Sequence, residues 1–340
     1  MERFGVPAKP GAPFIEQREM GGVERSILPG APFMERSGVP GEPARWGGSD
    51  MSGQQRSSSS PRPIIGVFDS GFGGLTVLRA LLSTISGAHF LYIGDTARLP
   101  YGAKSRATVS RYAVESARLL ESRGAQLLVI ACNTATALAL DDIRSAVRVP
   151  VLGVIEPGAQ ATATAIRSLP STPYPLTPAP SVLVLATAAT VQSHAYHSAC
   201  AALGLRATEK ACPLLVPLVE EGWVDHPVTR EVIRIYLREA LATCTPDAVL
   251  LGCTHYPLIH TAIEAELRAL NSSAVVIDSA QATADAVAQT LATTPIAAQL
   301  SPTPSTFDCF ATDSVEKFQR LGSHFLAQPI SEVHLLDLGG

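Results

Sequence analysis

No stretch of this 340-residue chain stays apolar for long. Asn, Thr, Pro or a charge breaks every hydrophobic run well before the roughly 18 residues a membrane span requires, and the N-terminus carries no apolar signal-peptide core. The expected setting is therefore the cytoplasm, without a membrane partner. Paired cysteine spacing is also missing: Cys132, Cys200, Cys212, Cys244, Cys253 and Cys309 are scattered without a CxxC. That argues against a zinc ribbon or a disulfide framework and for reduced thiols. Lysine is scarce, with only Lys9, Lys104, Lys210 and Lys317 present and none in a recognisable cofactor motif. A Schiff-base cofactor such as pyridoxal phosphate has no evident anchor. No Lys/Arg stripe accompanies the formal net charge of −4, so nucleic acid is not an expected partner, and an anionic ligand would have to be met by local donors.

What is present fits a compact α/β protein, since hydrophobic residues make up 46% and charged residues 16% of the chain. Residues 1–60 are the exception. They are rich in Gly, Pro, Ser and charge and lack sustained periodicity, so they are expected to form a disordered tail. The tail repeats itself: MERFGVP at 1–7 returns as MERSGVP at 34–40, and PGAPF at 10–14 returns at 29–33. An interaction tail is one reading. The favoured one is a solvated extension translated from an upstream repeat, with Met51 as a natural start.

After Pro61, short apolar runs alternate with helical spacing, the rhythm of a parallel sheet. Ile64–Phe68 breaks into Asp69-Ser70-Gly71-Phe72-Gly73-Gly74 before a helix marked by Leu75, Leu78 and Leu82. A second run reaches Ile93 before Gly94-Asp95, and Ser105 is placed to cap the next helix. A third run, Leu127–Ala131, ends on Cys132-Asn133-Thr134. A fourth spans Pro150–Ile155, and a helix then continues to about Ser168. Five prolines between Ser168 and Ser181 read as a connector. Beyond it the plan repeats: Val182–Ala186 leads into Thr187-Ala188-Ala189-Thr190, and Val249–Gly252 into Cys253-Thr254-His255. The expected fold is α/β, with two pseudo-symmetric lobes, each a mainly parallel sheet flanked by helices, and an active site in the cleft between them.

Ligands of open parallel sheets sit beyond the carboxyl ends of the strands, where all these loops fall. A thiol, with an ordinary pKa of about 8.5, becomes a useful base when a donor, a cation or a helix N-terminus stabilises its thiolate. Cys132 and Cys253 each end a strand and are expected to precede helix starts. Inverting a carbon acid needs a base on one face and an acid on the other, and two thiols from mirrored lobes meet that need. The other four cysteines read as small buried hydrophobes.

The strings FDSGFGG (68–74), GDTARLPYG (94–102), ACNTAT (131–136), VPLVEEG (216–222) and LGCTHYP (251–257) together resemble the glutamate racemases of the aspartate/glutamate racemase family, from Ile64 to about Leu326. The resemblance implies a cofactor-independent, metal-free interconversion of L- and D-glutamate that supplies peptidoglycan synthesis, carried out by a homodimer. Cys132 would take the α-proton of D-glutamate and Cys253 that of L-glutamate, assisted by Asp69 and His255 respectively. Glu220, with Glu221 beside it, looks like the family's catalytic glutamate. Substrate binding would fall to Asp69, Ser70, Tyr101, Gly102, Asn133, Thr134, Thr187, Thr190, Thr254 and His255. The family's chain path crosses between lobes twice, which implies crossings near Pro157 and Ala265: residues 61–157 with 266–340 form one lobe and 158–265 the other. Two departures stand out, Ala186 where the family usually has glycine and a longer proline connector.

Other readings are weaker. A dinucleotide loop G-x-G-x-x-G starting at Gly71 would need glycine at Thr76. His194, His197 and Cys200 share helical spacing but lack a fourth metal ligand. A racemase of aspartate or another amino acid is the enzymatic alternative. A non-catalytic binding protein is the other, and loss of either cysteine would be its signature.

Overall fold

A computed structural model of the protein describes residues 62–169 and 179–338. The expected N-terminal tail and most of the proline connector lie outside the described residues. The first strands follow from the apolar runs: β1 (Ile64–Asp69), α1 (Leu75–Thr84), β2 (His89–Gly94), α2 (Arg106–Ser122), β3 (Leu127–Ile130), α3 (Asn133–Ala146) and β4 (Val151–Gly153). Strand β3 is wholly buried, as an apolar run covered on both faces requires. Ser105 caps α2 as expected, its hydroxyl accepting the Thr108 N–H at 3.4 Å.

Helix α4 (Ile155–Arg167) packs on the strands of the second lobe, so the first crossing lies at Val154. There follow β5 (Ser181–Ala186), α5 (Ala188–Ser193), α6 (Ala195–Ala202), β6 (Arg206–Ala211), α7 (Leu215–Glu220), α8 (Pro227–Leu241), β7 (Ala248–Gly252), α9 (His260–Ala269) and β8 (Val275–Asp278). Helix α10 (Ser279–Ala292) leads back to β9 (Thr306–Ala311), α11 (Val315–Leu326) and β10 (Val333–Leu335).

Two all-parallel sheets result, ordered β10-β9-β2-β1-β3-β4 and β6-β5-β7-β8. Strands β2-β1-β3-β4 of the first sheet repeat the order β6-β5-β7-β8 of the second, which is the expected pseudo-symmetry. Edge strand β6 carries Arg206, Glu209 and Lys210, charges that blunt an open edge. The expected return to the first lobe near Ala265 is corrected. Val275-Val276-Ile277 pairs with β7 and covers its free edge, so the second lobe extends through Asp278. Helix α10 then makes the return, packed between α1 and α4. Among the described residues no helix is long and apolar enough to cross a membrane.

Candidate active site

In both sheets the order reverses at the first strand of the repeated unit, between β1 and β3 and between β5 and β7. Loops leaving such neighbouring strand ends part from one another and open a crevice. The loops here are Asp69-Ser70 and Cys132-Asn133 in one lobe, and Thr187-Ala188 and Cys253-Thr254-His255 in the other.

They enclose a cavity of about 350 Å³. Of the expected residues, Ser70, Tyr101, Gly102, Cys132, Asn133, Thr134, Thr187, Glu220, Cys253, Thr254 and His255 line it. Asp69 and Thr190 do not. Thr190 is fully buried behind the wall, where its hydroxyl lies 3.0 Å from that of Thr187 and 3.2 Å from that of Thr134. The Thr134 and Thr187 hydroxyls are themselves 3.0 Å apart, so this threonine cluster ties α3 to α5 across the lobes. Leu99, Pro100, Ala103, Ala188, Pro213, Val216 and Pro217 complete the wall. Several of them stand inside the motifs quoted above, but apolar residue types give no chemical signal of a site.

Close approach of the lobes depends on Gly73. A Cβ there would lie 2.2 Å from Thr254 Oγ1 and 2.6 Å from His255 Nδ1. Next to it, Thr76 Oγ1 donates to the Thr254 carbonyl at 3.2 Å.

The two thiols have different surroundings. Cys132 is the N-cap of α3, its sulfur accepting the Ala135 N–H at 3.4 Å, with Ser70 Oγ at 3.5 Å. Burial and then the charge of Asp69 push this thiol up to about 12, against the hydrogen bonds of Ser70 and Ala135. Cys253 does not stand at a helix start. Thr254 and His255 are followed by a 3-10 turn at Tyr256–Ile259 before α9 begins, which corrects the sequence expectation. Its sulfur lies 3.8 Å from His255 Nδ1, and His255 Nε2 lies 3.0 Å from Glu220 Oε1. Burial alone would lower His255, but hydrogen bonds and charges from Cys253 and Glu220 raise it to about 10. Glu220 in turn is held below its ordinary range, because His255 outweighs the effect of burial. Of the adjacent pair, Glu220 faces the site and Glu221 is exposed.

Asp69 is fully buried. Its Oδ2 accepts the Gly71 N–H at 2.9 Å, while Oδ1 has no partner. Burial raises its pKa, opposed chiefly by the charge of His255. The Tyr101 hydroxyl is committed to Asp95, which also takes the Arg98 guanidinium. What Tyr101–Ala103 can offer a ligand is therefore the N–H groups that open its 3-10 turn. Among the lining residues, His255 is the only one that can be a cation. Asp95, Arg98 and Tyr196 support the wall from behind. The sequence does not single out Arg98 or Tyr196, whose roles show only once the fold brings Glu115 to Arg98 and Asn133 to Tyr196.

Two thiols and a histidine–glutamate pair, set in an interlobe cleft of an α/β fold, are acid–base groups of the kind an isomerase uses. The chain belongs to the Asp/Glu/Hydantoin racemase family, whose sequence model matches residues 65–287. It is similar to the glutamate racemase of Koribacter versatilis, with 49% identity over 305 residues covering 83% of this chain and 100% of the relative. Among solved structures it resembles glutamate racemase from Thermus thermophilus in complex with β-chloro-D-alanine. The TM-score is 0.69 at 40% identity, covering 82% of this chain and 98% of that one. The Francisella tularensis glutamate racemase in complex with D-glutamate matches with a TM-score of 0.70 at 31% identity, over 82% and 98% of the two chains.

Proposed function

We propose that this protein interconverts L- and D-glutamate by a two-base proton transfer between Cys253 and Cys132. The observation that carries the reading is that these two cysteines, one from each lobe at equivalent strand ends, line the same small cavity. In the L-to-D direction the Cys253 thiolate removes the α-proton, and the electron pair left on carbon is delocalised into the α-carboxylate. The Cys132 thiol then delivers its own proton to the opposite face. Cys253 ends as the thiol and Cys132 as the thiolate, and the D-to-L direction is the exact reverse. His255, kept cationic by Glu220, supports the sulfur of Cys253. Asp69, without contact to the cavity, acts on Cys132 through space. Because its charge opposes the Cys132 thiolate, the two groups would share one proton when Cys132 serves as base.

Ser70, Asn133, Thr134, Thr187 and Thr254 supply uncharged donors for the substrate's polar groups, with the Tyr101–Gly102 backbone as a further anion site. The D-glutamate made is proposed to feed peptidoglycan synthesis in the cytoplasm, and the enzyme is proposed to be a homodimer. The family resemblance supports both. Sedimentation of the purified protein and D-glutamate dependence of a deletion strain test them.

The mechanism is tested by α-proton exchange in heavy water, started separately from each enantiomer. Cys132→Ser should lose racemisation while exchanging the proton of L-glutamate, and Cys253→Ser should do the same for D-glutamate. Full racemisation by either variant would falsify the two-base assignment, and no turnover of glutamate by the parent would remove the substrate assignment.

A further inference from the structure

We propose that Tyr196 is a positioning residue: it fixes the side-chain amide of Asn133 so that the NH2 group, and not the oxygen, faces the substrate. The inference rests on the glutamate reading of the cavity and refines how that cavity tells a carboxylate oxygen from an ammonium group.

Tyr196 lies on α6 in the second lobe and is fully buried. Its ring packs over Gly252, the residue before Cys253. A Cβ at Gly252 would lie 2.9 Å from the ring, so glycine leaves room for it there. The hydroxyl reaches across to the first lobe and donates to Asn133 Oδ1 at 2.5 Å. Burial raises the phenol, keeping it a protonated donor.

Asn133 lines the cavity, is 3% exposed, and its Nδ2 is buried with no partner. A buried NH2 group without an acceptor is costly unless a ligand oxygen meets it. The two ends of a carboxamide are nearly equal in size and exchange by a half-turn. Tyr196 breaks this tie and leaves the donor end for the substrate. It makes the contact from the opposite lobe, so the correct orientation exists only while the lobes are together.

Tyr196→Phe keeps the ring and removes the donor. The KM for both enantiomers should rise on the order of tenfold, the scale of one hydrogen bond, with kcat within about twofold. In an Asn133→Ala background the same change should alter glutamate affinity by less than about twofold, because the group it acts through is gone. Asn133→Asp replaces the NH2 by a carboxylate oxygen and should weaken glutamate binding more than Tyr196→Phe does. Calorimetric titration with L- and D-glutamate reads affinity independently of turnover. An equal penalty for Tyr196→Phe in both backgrounds would mean a packing role and overturn the proposal. Unchanged glutamate binding by Asn133→Asp would also overturn it, since the amide oxygen would then be the group presented. If the parent binds no glutamate, the substrate reading fails and takes this inference with it; if it binds but the variants are additive, only this inference fails.

Discussion

At the scale of single residues, the two thiols are unequal before any substrate arrives. Cys132 has a hydroxyl and a backbone N–H beside it, whereas Cys253 has an imidazole held by a carboxylate. Glu220→Gln isolates that difference. His255 is raised to about 10, so its charge is complete at neutral pH and disappears as pH climbs through that value. Without Glu220 the charge should vanish at a lower pH, and the alkaline limb of the L-glutamate pH–rate profile should move down. An unmoved limb would exclude His255 from that ionisation. The same pair affects stability. The raised His255 contributes fully below its ordinary 6.5 and loses the contribution toward 10, while the lowered Glu220 contributes above its ordinary 4.5. Glu220→Gln should therefore cost roughly 1.5–3 kcal/mol near pH 6, as for a hydrogen bond between charged groups, and much less above pH 10. Urea unfolding at the two pH values would show it.

At the scale of elements, the loop after β1 must admit the loop after β7. Gly73→Ala would drive a methyl group into Thr254 and His255, and displacing a packed neighbour of this kind costs about 1–3 kcal/mol. Because the displaced groups line the cavity, activity should fall by more than tenfold while circular dichroism stays that of the parent. A Gly73→Ala enzyme with parental kcat/KM would show that the lobes need not approach this closely. Cys132→Ser, by contrast, should unfold within about 0.5 kcal/mol of the parent, because a serine hydroxyl caps α3 at least as well as the sulfur does.

The elements also show what the sequence revealed. Strands β1, β3, β5 and β7 were readable because each is a buried apolar run stopped by polar residues, and the same stops marked both cysteines. The return of the chain was misplaced because Val275-Val276-Ile277 is an apolar run like any other. Nothing in its composition says which of two sheets it will join, and only its pairing with β7 decides that. The helix start expected after Cys253 failed for a local reason, the 3-10 turn that contains Pro257. Asp69 ends β1 and Thr190 lies in the first turn of α5, both beside the expected motifs, yet their side chains turn behind the wall, and a place next to a motif does not encode side-chain direction.

At the scale of the whole molecule, a ligand held by groups from both lobes should stabilise the fold as one unit. D-glutamate at about one hundred times its dissociation constant should add about 2.7 kcal/mol, a rise of roughly 5–10 °C in unfolding temperature for a domain of this size. Thermal scans with and without ligand measure it, and no shift would mean that the cavity does not hold glutamate in the folded state.

The unequal surroundings of the two cysteines also meet a thermodynamic limit. Enantiomers free in water have the same free energy, so the equilibrium between them is one to one and no catalyst can tilt it. Whatever advantage the imidazole–carboxylate pair gives to deprotonation from one side must be returned elsewhere in the cycle. If kcat differs between the two directions, KM must differ by the same factor. The asymmetry built around Cys132 and Cys253 can thus decide which enantiomer the enzyme holds for longer, but never how much of each remains at the end.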